Sequence, residues 1–217
     1  MTEDRKQMVR IFLVRHGETA ENKEMRYLGI RDVPLTSNGN RQARRVATAL
    51  SKLPIRAIVA SPLRRAADTA AQIQNACGVE LRKDSRLAEG SFGCWEGLTR
   101  EEVVKLGNVD AGLLARWETD PACAPPGGES IQNIQGRMVR LVEELTEEFA
   151  GSSVALVSHV GPIKAFLAAV MEMPLQSSRR LFLDPATISV VEWGAQTVLR
   201  LVNSHAHLGW ASARWMQ

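Results

Sequence analysis

The stretch Met8–Asn22, MVRIFLVRHGETAEN, decides how this chain is read. VRIFLV, Val9–Val14, has the apolar, β-branched content of a strand buried on both faces of a parallel sheet. It then meets Arg15, His16 and Gly17 in succession. Ionisable groups directly after a buried run mean that the end of the strand is no longer core. The chain opens there into a site.

The same grammar recurs twice. IRAIVA, 55–60, runs into Ser61, Pro62 and then Arg64 and Arg65, and SVALVS, 153–158, runs into His159, Val160 and Gly161. Amphipathic segments separate these runs. In LTSNGNRQARRVATALSKL, Thr36 reads as an N-cap, with Ala43, Val46, Ala47 and Leu50 at helical spacing. In SPLRRAADTAAQIQNACG, Ser61 is expected to cap, Pro62 to take the first helical position and Gly78 to end the helix. A long helix is expected from about Ser130 to Phe149, turning Ile131, Ile134, Met138, Leu141, Val142 and Leu145 inward, and after His159 and Gly161 another helix runs through Ala169. TISVVEW and VLRLVN read as two closing, alternating strands. Between Arg86 and Gly128 the pattern is less regular. TREEVVKLG has the capping-box spacing of Thr99 and Glu102, and PACAPPGGES is a loop. This stretch reads as an insertion of short helices over one edge of the sheet. Strands alternating with helices predict an α/β fold with a mostly parallel sheet.

Such a sheet puts the carboxyl ends of its parallel strands on one edge, and ligands bind outside that edge. His16, His159 and at least two arginines, distant in sequence, therefore converge. Arginine presents a planar fork of donors suited to phosphate oxygens. Helix N-termini after Gly17, Ser61 and Gly161 add backbone N–H groups. Imidazole is a covalent nucleophile. The constellation predicts transfer of a phosphoryl group through a phosphohistidine.

Composition excludes other classes. The chain has 217 residues and a mass of 23.9 kDa, which suits one domain, 1–217, with an insertion at about 86–128. The net charge of +3 comes with no run of Lys and Arg, so nucleic acid is not the expected partner. No apolar stretch approaches the roughly 20 residues of a membrane helix, and MTEDRKQ lacks the apolar core of a signal peptide. Cys77, Cys94 and Cys123 are scattered, with no CxxC pair, which fits reduced thiols in the cytoplasm. P-loop, G-x-S-x-G and G-x-G-x-x-G patterns are absent. His205 and His207 in HAH have the spacing of two ligands on one face of a strand, but no Asp or Glu follows Glu192, and a metal is not expected. Trp95, Trp117, Trp210 and Trp215 are left between core, interface and substrate loop.

LVRHGET resembles the signature of the histidine phosphatase superfamily, with its phosphoglycerate mutase-like fold. GIRDVPLTSNGNRQA, SPLRRAADTA, LAEGSFGCWEG, PPGGES and LVSHVGPIKA match further segments of that family in order, so the resemblance runs from about Met8 to Phe166. It implies a three-layer α/β/α sandwich with a small helical cap. It also implies a cytoplasmic phosphoric monoester hydrolase of the histidine acid phosphatase type, acting on small phosphorylated metabolites. No cofactor, metal, nucleic acid or membrane is implied, and a homodimer is common among relatives. By the resemblance, His16 is the nucleophile and Arg15 and His159 bind and polarise the phosphoryl oxygens. Arg65 is the second arginine of the clamp, with Arg64 its neighbour. Asn22 reaches the phosphate and Glu89 donates the proton. Glu96 is read as structural. Relatives often carry an acidic residue at Ser91 and at Cys94; here both are neutral, which bears on substrate preference. A phosphoglycerate mutase on the same site is the first alternative, and the short stretch from Gly97 to PPGGES argues against it. A catalytically inactive phosphate-binding or regulatory module is the second, and the intact set of His16, Arg15, Arg65, Glu89 and His159 argues against that.

Overall fold

A computed structural model describes residues 8–209 and 213, so Trp210 and Trp215 lie outside the described residues. Strands β1 (Val9–Arg15), β2 (Ile55–Ala60), β3 (Leu81–Lys83), β4 (Ser153–Ser158), β5 (Ile188–Trp193) and β6 (Val198–Ser204) form one sheet in the order β3-β2-β4-β1-β5-β6. The first four in that order run parallel; β5 and β6 are antiparallel to their neighbours. Arg15 lies opposite Ser158, and Ala60 opposite Val157. The carboxyl ends of β1, β2 and β4 are therefore level with one another.

The continuous apolar run of β1 has a simple cause: both faces of the sheet are covered. Ile11 and Leu13 point to one face, where they meet Met138, Leu141, Val142 and Phe166 of helices α6 (Ile131–Glu148) and α7 (Val160–Val170). Phe12 and Val14 point to the other, against Val46, Leu50, Ala66 and Ile73 of α2 (Ser37–Leu50) and α3 (Arg64–Cys77). Each Leu, Ile, Val or Phe buried in these layers stabilises the fold by about 1.5–3 kcal/mol. The result is the expected three-layer α/β/α sandwich.

Local signals explain most boundaries. Thr36 Oγ1 accepts from Gly39 N at 3.0 Å to start α2, and Gly78, at φ 67°, ends α3. The start of α3 departs from expectation. The helix begins at Arg64, with Leu63 in the N-cap position and no side-chain cap of its own. Asp32 Oδ1 reaches across to accept from Arg64 N at 2.6 Å, and Ser61 Oγ accepts from Leu63 N at 3.2 Å, ahead of the helix. The three-residue β3 is too short to show a period and was not expected. The closing strands do not alternate. β5 is buried from Ile188 through Glu192 because it lies between β1 and β6, and its pairing with β6 shifts register at Val190 and Val191. β6 is the sheet edge, exposed at Arg200–Val202.

The insertion holds α4 (Arg100–Lys105), opened by the Thr99–Glu102 capping box, and α5 (Asn108–Thr119). Buried Trp95, Val103 and Leu114 make its own small core, with Tyr27, Phe92 and Trp117 packed against it. Among the described residues no helix is long and apolar enough to cross a membrane. A short helix α1 (Ala20–Glu24) follows β1.

Candidate active site

A cavity of about 420 Å³ opens at the level carboxyl ends of β1, β2 and β4, beneath the insertion. Arg15, His16, Asn22, Arg65 and Glu89 all line it. His159 lies immediately behind, fully buried, its ring centroid 5.0 Å from that of His16. The sheet thus brings together every site residue expected from the sequence.

His16 leaves the end of β1 on a backbone that Gly17 permits. A Cβ on Gly17 would stand 2.6 Å from the carbonyl oxygen of Gly39, so only glycine lets this loop pack on the start of α2. His16 Nδ1 lies 2.7 Å from the Gly17 carbonyl. A carbonyl only accepts, so Nδ1 carries the hydrogen and the neutral ring keeps its lone pair on Nε2. Burial, followed by the Arg65 and Arg15 guanidinium groups, holds the His16 pKa well below the ordinary 6.5. The ring therefore favours its neutral form, with positive charge beside it.

Arg65 is fully buried and its neighbour Arg64 is exposed, paired with Asp68 at 3.6 Å, so the structure separates the two. The Arg65 guanidinium donates to the carbonyls of Arg31 and Gly29, each at 2.8 Å, and from Nε to His159 Nδ1 at 3.2 Å. Accepting at Nδ1 leaves the His159 hydrogen on Nε2, which donates to Ser61 Oγ at 2.7 Å. Both ring nitrogens of His159 are thus engaged by protein. Burial and the neighbouring Arg65 keep the His159 pKa well below 6.5 as well.

The remaining parts are held by backbone. Arg15 donates from Nη1 to the Leu183 carbonyl at 2.5 Å. Asn22 Oδ1 accepts from Thr19 N at 3.1 Å in the capping box of α1, which turns the amide nitrogen into the available donor. Glu89 is buried; its Oε1 accepts from Gly90 N at 2.9 Å and its Oε2 from Gly161 N at 3.2 Å. Glu96 has the structural place expected of it, its Oε1 accepting from Ile30 N at 3.0 Å, Phe92 N at 3.1 Å and the Ser91 hydroxyl at 3.3 Å.

HAH differs from expectation. His205 lies past the end of β6 in a turn, not on a strand face with His207. It is buried against Asp184, Nε2 to Oδ2 3.0 Å, a carboxylate that precedes β5 in the chain; His207 Nε2 lies 2.8 Å from the Ala186 carbonyl. No group of three or more metal-ligating side chains occurs among the described residues.

Several site residues went unread in the sequence. Ser61 orients His159. Thr69 Oγ1, one helical turn after Arg65, accepts from Gly17 N at 3.1 Å and donates to the Arg65 carbonyl at 2.7 Å. Lys164 and Arg179 line the cavity beside Tyr27, Phe92 and Trp117. One signal could have found Lys164: it is the sole charged residue in the apolar helix α7, VGPIKAFLAAV.

A mixed, mostly parallel sheet between two helical layers, with paired histidines and arginines at its carboxyl edge, defines a phosphoglycerate mutase-like histidine phosphatase fold. The family model described as histidine phosphatase superfamily (branch 1) matches residues 11–205, and the chain belongs to that family. It is 37% identical over 203 residues to the bifunctional protein Rv2228c of Mycobacterium tuberculosis, covering 92% of this chain and 55% of that protein, so it spans about half the length of that relative. It is 32% identical over 204 residues to phosphoserine phosphatase 1 of Hydrogenobacter thermophilus, covering 93% of this chain and 95% of the relative. It is 35% identical over 196 residues to the probable phosphoglycerate mutase GpmB of Escherichia coli, covering 86% of each. The solved structure of the mycobacterial glucosyl-3-phosphoglycerate phosphatase Rv2419c with VO3 superposes with a TM-score of 0.81 at 31% identity, over 90% of this chain and 99% of that one.

Proposed function

We propose that this protein is a metal-independent phosphatase that hydrolyses small-molecule phosphate monoesters through a phosphohistidine on His16. One observation carries the reading. His16 has its hydrogen on Nδ1 by virtue of the Gly17 carbonyl and lines one cavity with Arg15 and Arg65, which together with burial hold its pKa well below 6.5.

In this reading His16 Nε2 attacks phosphorus in line with the ester oxygen. Arg15, Arg65 and Asn22 stabilise the charge that gathers on the non-bridging oxygens. The P–O bond breaks and the alcohol leaves with a proton from Glu89. Glu89, now a carboxylate, takes a proton from water as the water oxygen attacks phosphorus. The P–N bond breaks, inorganic phosphate departs and neutral His16 returns. The arginines supply the positive charge that a metal provides in other phosphatases.

His16→Ala is expected to reduce turnover of p-nitrophenyl phosphate by at least about 10⁴-fold with an unchanged circular dichroism spectrum. Acid-quenched wild-type protein should carry an acid-labile phosphate on His16, and EDTA should leave the rate unchanged. Substantial activity in the alanine variant would end the phosphohistidine mechanism.

The likeness to GpmB favours a second reading, a phosphoglycerate mutase. Both reactions share the phosphohistidine and differ in what accepts the phosphoryl group. With 3-phosphoglycerate and a trace of 2,3-bisphosphoglycerate, the phosphatase reading expects free phosphate in step with substrate loss. Rapid formation of 2-phosphoglycerate with little free phosphate establishes the mutase instead.

A further inference from the structure

We propose that the turn at 203–209, which carries His205 and His207, is a positioning element of the active site: it seats segment 183–187, whose backbone holds the Arg15 guanidinium and the strand end that presents His16. The proposal rests on the phosphatase reading for the role of Arg15 as a phosphate ligand.

Segment 183–187 leads into β5 and touches the clamp at several points. The Leu183 carbonyl accepts from Arg15 Nη1 at 2.5 Å. Ala186 N donates to the carbonyls of Arg15 and His16, at 3.1 and 3.0 Å, and the Thr187 carbonyl accepts from Arg15 N at 3.2 Å. The guanidinium of Arg15 and the backbone that carries His16 are therefore set by one short segment. That segment is not relaxed. Ala186 stands at φ 59°, a left-handed backbone that a residue with a side chain rarely adopts. Such a conformation persists only where its surroundings impose it.

The turn after β6 imposes it. His207 Nε2 lies 2.8 Å from the Ala186 carbonyl; a carbonyl only accepts, so the ring donates there. Asn203 Oδ1 accepts from Asp184 N at 2.8 Å. His205 Nε2 stands 3.0 Å from Asp184 Oδ2, with both side chains only 2% exposed. A carboxylate buried that deeply needs such a partner, and the imidazole ties the turn to the residue next to Leu183. The turn has an anchor of its own. Leu208 packs in the core on the α2 face and its carbonyl accepts from Arg45 Nη1 at 2.8 Å, while Leu208 N and Gly209 N donate back to the His205 carbonyl. A fixed path thus runs from α2 through the turn and segment 183–187 to Arg15. A buried acid–imidazole pair is a poor device for stability alone. It does give one place to the carbonyl that aims a guanidinium, and small misplacements of such a group are costly.

His207 is half-buried, so His207→Ala removes the hold on Ala186 without opening the core. In that variant KM for p-nitrophenyl phosphate and the inhibition constant of inorganic phosphate are expected to rise about tenfold, with kcat falling less. Arg15 meets the phosphoryl group, which every ester shares, so alkyl and aryl phosphates should lose alike, whereas loss of the Glu89 proton falls on alkyl phosphates. His207→Gln keeps a donor for the Ala186 carbonyl and should restore most of the loss. His205→Leu should match His207→Ala, and His205→Gln, whose amide still donates to Asp184, should stay close to wild type; if His205→Leu does not fold, the His207 pair decides. A lower melting temperature in His207→Ala with KM and phosphate inhibition unchanged makes the turn merely structural and overturns the proposal. Losses confined to alkyl phosphates, or a His207→Gln no better than His207→Ala, overturn it as well. Hydrolysis of p-nitrophenyl phosphate by the wild type tests the phosphatase reading by itself. If no ester is turned over, calorimetric binding of inorganic phosphate decides: weaker binding in His207→Ala, recovered in His207→Gln, supports the positioning role, and equal binding overturns it.

Discussion

Glu89 shows how single residues in this site are fixed from two directions. Its two carboxylate oxygens accept from Gly90 N and Gly161 N, groups from segments 71 residues apart, so the side chain has little freedom to leave the cavity wall. If it delivers a proton to the departing alcohol, its removal should matter most where the leaving group is basic. Glu89→Gln keeps the shape and loses the proton. The variant should lose about 10²–10⁴-fold in kcat on alkyl phosphates and far less on p-nitrophenyl phosphate, whose leaving group needs little protonation. Steady-state kinetics on the two substrate types reads this directly, and equal losses on both would remove Glu89 from the role. Ser91 and Cys94 are neutral, and Glu21 and Glu129 line the cavity with Glu89.

At the scale of elements, the start of α7 couples the helix to the chemistry. A Cβ on Gly161 would stand 2.3 Å from Glu89 Oε1, closer than real contacts allow. Gly161 is thus a glycine for space rather than for a left-handed φ, since its backbone is helical. Alanine is a better helix former by roughly 0.5–1 kcal/mol, so Gly161→Ala should not unfold α7. It should instead push Glu89 off its seat and reproduce the substrate pattern of Glu89→Gln, about 10-fold or more on alkyl phosphates. A normal melting temperature with that selective loss supports the coupling; retention of full alkyl-phosphate turnover contradicts it. The turn before α3 works by the same economy. Asp32 caps Arg64 N, while the Ser61 hydroxyl accepts from Leu63 N at 3.2 Å and meets the His159 ring.

For the molecule as a whole, two buried histidines set the response to acid. Burial and neighbouring guanidinium groups hold His16 and His159 well below 6.5 in the folded state. The unfolded chain therefore takes up protons first as pH falls, and the folded state loses stability from 6.5 downwards until the folded-state values are reached. The slope is at most about 1.4 kcal/mol per pH unit for each histidine. Glu18 and Glu192 are held below 4.5 by hydrogen bonds and charged partners, so their contribution is present above 4.5 and is lost at lower pH still. Urea midpoints measured between pH 7.5 and 5 should fall steadily, and His16→Ala should flatten the fall. A midpoint independent of pH over that range would mean that neither ring is shielded as described.

What the sequence determined alone were the periodicities and the strand ends. Three apolar runs closing in Arg15–His16, Ser61 and His159, with amphipathic helices between them, are local signals, because burial on both faces of a sheet forces a continuous apolar strand. Caps at Thr36, Ser130 and Thr99 are equally local, since each needs only its own third residue onward. Arg65 was separated from Arg64 by resemblance, and burial then separated them physically. Tertiary structure alone decided the rest. β5 is buried throughout because of its neighbours in the sheet, and no pattern in TISVVEW reports who those neighbours are. The tautomers of His16 and His159 depend on a backbone carbonyl, a guanidinium and a hydroxyl brought together by packing; the last two come from more than 90 residues away. Asp184 beside His205, and Lys164 on one cavity wall with Arg15, Glu89 and Arg179, likewise exist only once distant segments meet. A pairing between residues far apart in the chain has no period to betray it, and its energy depends on burial that only the folded protein creates.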